Sequence, residues 1–432
     1  MENINNSNKL VISKEIAIKK NALFIWLCSG AIIAVIRFML NFIGIDKNVY
    51  REMIFWIVTS FPYIYLLVRI GSKRLTLSKS SFYFIFIFIL VIISFFKSLL
   101  FNPEISEFYF RENYGIGRVF RPDGAIYAFL LFSMFDNPSD IYDTLLKSAF
   151  VILVYQIVVV LFPVLIRGYW IDISPTGNEI HLRYSLSFGY EMGYLFMIFF
   201  IAALREKKIT YYFLTLICLG LNLFYGGRGS LIILLIFIFV LIVFGPLKNN
   251  ESKYKKTIII CFIVLGGAIL FFNYEEILYK LSELLNKYNI DSRNIDKLIN
   301  GSFSEANGRD IIWNVVVEAI KNGGIFGYGF FGDRPFVAPY HIAGYSHNIF
   351  LELLVSFGLI GAFFIVYIMI DTIKMLFLCK DKEWKLIYII LFSSSCKLLL
   401  SFTFWYVWQF WAAAGIAYKY KIISKKENNS LY

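Results

Sequence analysis

The chain alternates long apolar runs with short polar breaks for most of its length. Runs of about 12 to 24 residues approach or match the apolar helix needed to cross a hydrocarbon core about 30 Å thick. Twelve such runs are expected as helices: Ala22 to Ile45, Met53 to Val68, Phe82 to Leu100, Gly124 to Phe135, Ser148 to Ile166, Gly189 to Leu204, Ile209 to Tyr225, Leu231 to Phe244, Thr257 to Phe272, Asn348 to Ile370, Leu386 to Leu400 and Phe404 to Tyr418. The fourth is the shortest, and the last two also read as one broken hairpin. About 20 mostly polar residues precede the first run, which is longer than a signal-peptide core, so it is expected to be a retained helix.

Composition sharpens this reading. The 432 residues are 59% hydrophobic and only 17% charged, with 46 Phe and 29 Tyr. Soluble domains have roughly a quarter of their residues charged, so a soluble enzyme, a disordered chain and a collagen-like fibre are all excluded. The fold class is all-α, a polytopic membrane protein of about 12 transmembrane helices.

Charge sets the expected sidedness. With 42 Lys and Arg against 30 Asp and Glu, the chain carries +12. Alternating the spans from a cytoplasmic N-terminus puts most of the cations inside; every inner loop but 136–147 is then basic. The basic balance thus reflects topology and phospholipid contact, and not nucleic-acid binding. The expected organisation is a cytoplasmic tail (1–21), nine spans (22–272), a long outer loop (273–347), three spans (348–418) and a second cytoplasmic tail (419–432). Cys28, Cys218, Cys261 and Cys396 fall in spans and Cys379 inside, which leaves no outer disulfide framework.

Polar chemistry gathers on the outer side. Three outer loops are long: 101–123, 167–188 and 273–347. His181, His341 and His347 lie in or beside them. Arg37, Lys97, Glu191, Glu352 and Lys397 sit in the outer halves of their expected helices, where a charge is costly unless a polar cavity receives it. Lys97 and Lys397 could alternatively snorkel to the interface. Within the last long loop, Tyr274 to Tyr288 has amphipathic helical spacing, and a second helix is expected from Asn307 through Trp313 to Ile320. The stretch from Gly323 to Gly332 spells G-x-G-x-x-G at Gly327, Gly329 and Gly332, but no strand–helix unit surrounds it, so a dinucleotide site is not expected. A mobile lid, or backbone passing close to a substrate, fits it better.

Four constellations could carry chemistry. Gly226-Gly227-Arg228-Gly229 allows close approach of backbone N–H groups to an anion, with a planar guanidinium beside them. Arg183 leads into the sixth span, with Glu191 about two turns on. Arg309 lies in the first turn of a loop helix, where backbone amides favour anions. His347-Asn348 opens the tenth span, with Glu352 one turn below, and a His there can exchange a proton near neutral pH. Each also has a plainer reading as a turn, an interfacial anchor, a solvated face or a hydrogen-bonded His.

Taken together, Arg183-Tyr184-Ser185-Leu186-x-Phe188-Gly189, Gly227-Arg228-Gly229, Gly308-Arg309 to Trp313, Gly327-Tyr328-Gly329 and His347-Asn348-x₉-Gly358 resemble the O-antigen polymerase and O-antigen ligase superfamily, the Wzy-type polymerases and their ligase relatives. The resemblance runs from about Arg183 to Gly361. Ser346 stands where ligase relatives often carry Pro, and no motif of the family covers Glu191.

The resemblance implies a GT-C-like glycosyltransferase in the bacterial plasma membrane; no Asp-x-Asp or His/Cys cluster lies on the outer face, so a metal-independent enzyme with no cofactor is expected. It would use an undecaprenyl-diphosphate-linked oligosaccharide on the outer face. It further implies membrane lipids, a chain-length regulator and a flippase as partners. Arg183, Arg228 and Arg309 would hold the leaving diphosphate, His347 would be the base and Glu191 its reserve. Tyr328, Phe330, Phe331, Tyr340 and Tyr345 are candidates for sugar stacking or for packing of the loop. A polymerase is the expected activity; a ligase, a lipid-linked oligosaccharide flippase and a scaffold are the alternatives.

Overall fold

A computed structural model describes residues 2–44, 47–72, 79–111, 115–173, 179–246, 308–340 and 344–429, with a few isolated positions between 280 and 299. The expected ninth span and nearly all of the amphipathic stretch Tyr274 to Tyr288 lie outside the described residues, as does His341.

The protein is a bundle of helices. In chain order they are α1 (Glu2–Leu27), α2 (Ser29–Phe42), α3 (Lys47–Gly71), α4 (Lys79–Phe101), α5 (Tyr127–Ser133), α6 (Pro138–Arg167), α7 (Leu186–Glu206), α8 (Ile209–Tyr225), α9 (Arg228–Phe244), α10 (Arg309–Asn322), α11 (Ile349–Phe357), α12 (Leu359–Leu378), α13 (Lys382–Ser395) and α14 (Trp408–Asn429). Among the described residues α3, α4, α6, α7 and α12 contain stretches long and apolar enough to cross a membrane; α1 and α2 together make a sixth candidate, bent by 67°. The protein is therefore polytopic. The segment expected as a polar N-terminal tail is helical from Glu2. Among the described residues one strand pair forms: β1 (Trp170–Ile173) and β2 (Glu179–Leu182) pair antiparallel, Trp170 opposite Leu182.

The expected fourth span is corrected. Only the seven residues of α5 are helical there, roughly 10 Å of rise, too short to cross a bilayer alone. The segment is instead sheathed by protein. Phe129, Leu131 and Phe132 are buried. Gly415 of α14 packs on the backbone of Phe129, where a Cβ would come within 2.7 Å of the Phe129 carbonyl. Trp408 stacks on Phe132, and Tyr418 lies against Phe129 and Tyr83.

One end of the bundle is tied by charge. Asp136 pairs with Lys419 at 2.6 Å and Lys19 at 3.6 Å, while Lys20 pairs with Asp140 and Asp143 at 3.2 and 3.1 Å. Beside them Arg205 forks onto Glu383 at 2.8 and 3.1 Å. This clasp explains why the 136–147 stretch is acidic: it supplies counter-charges to lysines from both ends of the chain. α7 and α14 each start at the opposite end and run to the clasp, at Arg205 and Lys419 respectively. The residues before their first turns are therefore at the far end.

Candidate functional site

At that far end three structural pieces meet. The first is the entry to α7. Ser185 accepts from the Phe188 N–H as its N-cap, at 3.2 Å, and donates its own N–H to the Tyr225 carbonyl at 3.0 Å. The Arg183–Leu186 segment is thereby laid on the Gly226-Gly227 turn that opens α9. The approach is very close: a Cβ on Gly189 would lie 2.7 Å from the Gly226 Cα. Arg183 is exposed and Arg228 half-buried at N1 of α9. Arg309, at N1 of α10, acts electrostatically on the buried Tyr190 hydroxyl, which also lies against Gly229. The Tyr190 region is thus where the segments carrying all three predicted arginines come together.

The second piece is a buried charge cluster that the sequence reading did not assemble. Asp333, Arg334 and Glu352 are 0%, 4% and 1% exposed. Arg334 Nη1 is 3.2 Å from Asp333 Oδ1 and donates to the Gly344 carbonyl at 3.3 Å; its Nη2 is 3.8 Å from Glu352 Oε1. Asp333 Oδ2 accepts from the Ser346 N–H at 2.8 Å. Thr403 Oγ1 donates to Glu352 Oε1, and the Phe404 N–H to Oε2 at 3.3 Å. Burial opposes the charge on Arg334, but Asp333 and Glu352 outweigh it and raise its pKa further. The guanidinium also covers the rings of Phe331 and Tyr345, at 4.7 and 5.3 Å.

This cluster holds His347. Asp333 and Arg334 grip the 344–346 turn from one side. From the other, Asn348 caps α11, its Oδ1 accepting from the Phe350 and Leu351 N–H groups at 2.9 and 3.3 Å. Between them His347 is buried in the left-handed region at φ 53°, its ring 4.2 Å from that of Tyr345. Glu352, one helical turn on, is held by the cluster just described.

The third piece, the non-helical 400–407 segment, joins the other two. Phe402 packs against Tyr190 at 5.4 Å, and its N–H donates to the Tyr345 hydroxyl at 3.3 Å. Lys397 lies 5.9 Å from the Tyr190 ring centroid and 5.8 Å from that of Phe402, and interacts electrostatically with Glu191. Lys397 is buried, so snorkelling does not describe it. Among the described residues four non-glycines have left-handed backbone, and three of them, Phe331, His347 and Phe402, surround Arg334 and Tyr345. Such conformations cost about 1–2 kcal/mol each and gather where function holds the chain off its preferred path.

Two expectations for the glycine-rich stretch are corrected. It is not a lid: Tyr328 and Gly329 donate N–H bonds to the Val355 and Ser356 carbonyls at 2.9 and 2.7 Å, and Asn102 Nδ2 donates to the Tyr328 carbonyl at 2.8 Å. Lys97 donates to the carbonyls of Phe326, at 2.7 Å, and Gly327, so it fastens this stretch to α4 rather than snorkelling. Phe330 and Phe331 are fully buried against Tyr109, Trp405 and each other and present no face to a sugar. Tyr340 is exposed, Tyr328 and Tyr345 half-buried. His181 stacks on Tyr169 beside the hairpin, at 4.1 Å.

Residues 192–366 match the family model described as O-antigen ligase. That stretch, about two fifths of the chain, is similar to the O-antigen ligase and polymerase superfamily. It takes in Arg228, Arg309, Arg334, His347 and Glu352, while Arg183, Glu191 and the 400–407 segment fall outside it. No curated protein and no solved structure matches the chain. Among the described residues no three His, Cys, Asp or Glu side chains are grouped as a metal site would require. The missed Asp333-Arg334 pair did leave a signal: two adjacent charges between Phe330-Phe331 and Pro335-Phe336, in an otherwise apolar, aromatic setting.

Proposed function

We propose that this protein is a polysaccharide polymerase, a metal-independent glycosyltransferase joining undecaprenyl-diphosphate-linked oligosaccharide repeat units on the outer face of the bacterial plasma membrane. The observation that carries the reading is the meeting of the Arg183, Arg228 and Arg309 segments at Tyr190, beside a left-handed His347 locked by buried ion pairs. In this reading a hydroxyl of the acceptor glycan attacks the anomeric carbon of the donor. The new C–O bond forms as the bond to the diphosphate breaks, and the electron pair departs on the bridging oxygen. Arg183, Arg228 and Arg309 stabilise that charge. His347 accepts the hydroxyl proton, with Glu191 as the reserve base. Asp333, Arg334 and Glu352 act as positioning residues. A chain-length regulator and a flippase are the partners such a reaction calls for.

The description of the matching family favours a second reading, a ligase that moves the finished glycan to another acceptor such as lipid A-core. One experiment separates the two. Arg228→Ala, Arg309→Ala and His347→Ala are each introduced and the surface polysaccharide is run on a gel. Each arginine loss should cut polymer roughly ten- to hundredfold, as expected for one charge-assisted bond. A polymerase defect leaves single repeats on the acceptor; a ligase defect leaves polymer on the lipid carrier. Substrate trapped inside the cell points to a flippase. Unchanged ladders in all three variants at normal protein levels would falsify the site.

A further inference from the structure

α12, α13 and α14 border two adjoining cavities that the functional reading leaves unused. The first lies at the clasp end, opposite the Tyr190 arginines. It has a volume of about 730 Å³, and its walls include Asp136, Lys374, Lys380, Asp381, Trp384 and Lys421. The second is an apolar slot of about 300 Å³ between the same helices, walled in part by Tyr367, Ile368, Phe392, Leu399, Phe410 and Ala414. Asp371 and Ala417 line both, so the slot adjoins the charged cavity.

The sequence builds this pair of spaces. Ala413, Ala414 and Ala417 put three short side chains on one side of α14 and leave a slot there. From Phe410 to Ala417 the helix rises roughly 10 Å, which fits within one leaflet's half of a hydrocarbon core about 30 Å thick. Among the described candidate spans α12 is the least enclosed, with 17% of its apolar stretch buried against 78% in α7, so lipid reaches most of its length. The hydroxyls of Thr372 and Tyr388, 2.9 Å apart, tie it to α13. Past that bond α12 ends in a π turn, the Cys379 N–H donating to the Lys374 carbonyl at 2.9 Å, a winding that gathers at functional sites.

An apolar slot beside a charged mouth, on a lipid-facing flank, fits a molecule with both characters. The mouth decides its headgroup. Lys374, Lys380 and Lys421 reach it from three separate elements: the end of α12, the 379–381 linker and α14. The aspartates there have structural tasks of their own. Asp136 belongs to the clasp. Asp381 caps α13, accepting from the Glu383 and Trp384 N–H groups at 2.8 and 3.1 Å, and Asp371 acts electrostatically on Tyr367. Trp384 and Tyr420, 6.5 Å apart between centroids, stand in the same walls, as amphipathic rings do at a membrane rim. The charge pattern along the chain assigns this end to the cytoplasm, and the leaflet there carries the anionic lipids that lysines at its surface attract.

We propose that these two cavities bind an anionic phospholipid of the inner leaflet, with its phosphate at Lys374, Lys380 and Lys421 and one acyl chain in the slot between α12 and α14. The site is separate from the Tyr190 arginines and stands whether or not the chain polymerises glycans.

The test is native mass spectrometry of the full-length chain in detergent, titrated with phosphatidylglycerol and, separately, with phosphatidylcholine. The wild type should bind the anionic lipid roughly tenfold tighter or more. Lys374→Gln together with Lys421→Gln should bring phosphatidylglycerol down to the level of phosphatidylcholine and leave the latter within about twofold. Ala414→Phe, which fills the slot, should weaken both lipids by roughly tenfold. A wild type that binds the two lipids equally is merely coated by lipid, and the site is then wrong. A preference that survives the double substitution places the headgroup elsewhere and is equally fatal. Ala414→Phe binding both lipids as the wild type does would remove the acyl chain from the slot and overturn the proposal. If Ala414→Phe shows no cooperative melting, Ala414→Leu takes its place under the same criteria.

Discussion

Arg334 shows how much a single side chain has to satisfy inside this bundle. A buried guanidinium is tolerated only when its charge and donors are met, and here Asp333, Glu352 and the Gly344 carbonyl meet them. Replacing Arg334 by Ala leaves two buried carboxylates uncompensated. Thermal unfolding in detergent should show a loss of about 3–5 kcal/mol. Thr403→Val removes one hydrogen bond to Glu352 and should cost only about 1.5–3 kcal/mol, so the two variants must rank in that order. The His347-Asn348 pair was legible in the sequence because its logic is local: an Asn caps the helix that begins one residue later. The Asp333–Arg334–Glu352–Thr403 cluster was not, because the adjacent Asp333 and Arg334 meet a Glu352 18 residues on from Arg334, which in turn meets Thr403 51 residues further on, and nothing in a linear pattern says which buried charges will meet.

At the scale of elements, glycines decide where helices touch. Gly327 has φ 60°, and a Cβ there would sit 2.6 Å from both the Gly358 nitrogen and the Val355 carbonyl. Gly327→Ala should therefore prise the stretch off α11 and lower the yield of folded protein on size-exclusion chromatography. Gly189→Ala would push α7 away from the Gly226-Gly227 turn and so move Arg228 relative to Arg183. It should reduce polymer formation by more than it reduces melting temperature, and equal losses in both would argue against a role for that juxtaposition. Helix identities were legible here from apolar length, and α10 lies within two residues of its expected start and end. The clamping of the glycine-rich stretch was not legible, since glycine frequency reads the same whether a backbone needs freedom or needs to be approached closely.

For the whole molecule, the clasp sets which ends lie together. Lys19, Lys20, Asp136, Arg205, Glu383 and Lys419 come from five separate stretches of chain. Asp136→Ala takes the carboxylate from the buried Lys419 ammonium and should cost about 1–3 kcal/mol in thermal unfolding. Burial tends to raise the pKa of Asp136, but Lys419 and Lys19 outweigh this and hold it below the usual range. A carboxylate depressed in this way stabilises the fold above its unfolded pKa of about 3.9. That contribution is complete at neutral pH and is lost only as pH falls through the lower, folded value. The alternation of apolar runs made the bundle legible, but the path between Arg118 and Asp136 was misjudged, because a two-turn helix buried in protein and a lipid-facing span both read as an apolar run.

That path bears on how the chain reaches its final form in the cell. With seven helical residues, α5 leaves backbone amides on either side of it that hydrocarbon could not solvate. Its sheath is α14, which lies far downstream of it in the chain. Threading of the middle of the chain is thus completed only once α14 has been made. Nascent chains stopped before Trp408 should expose a tag placed next to Asp136 to the wrong compartment in protease-protection assays, and full-length chains should not.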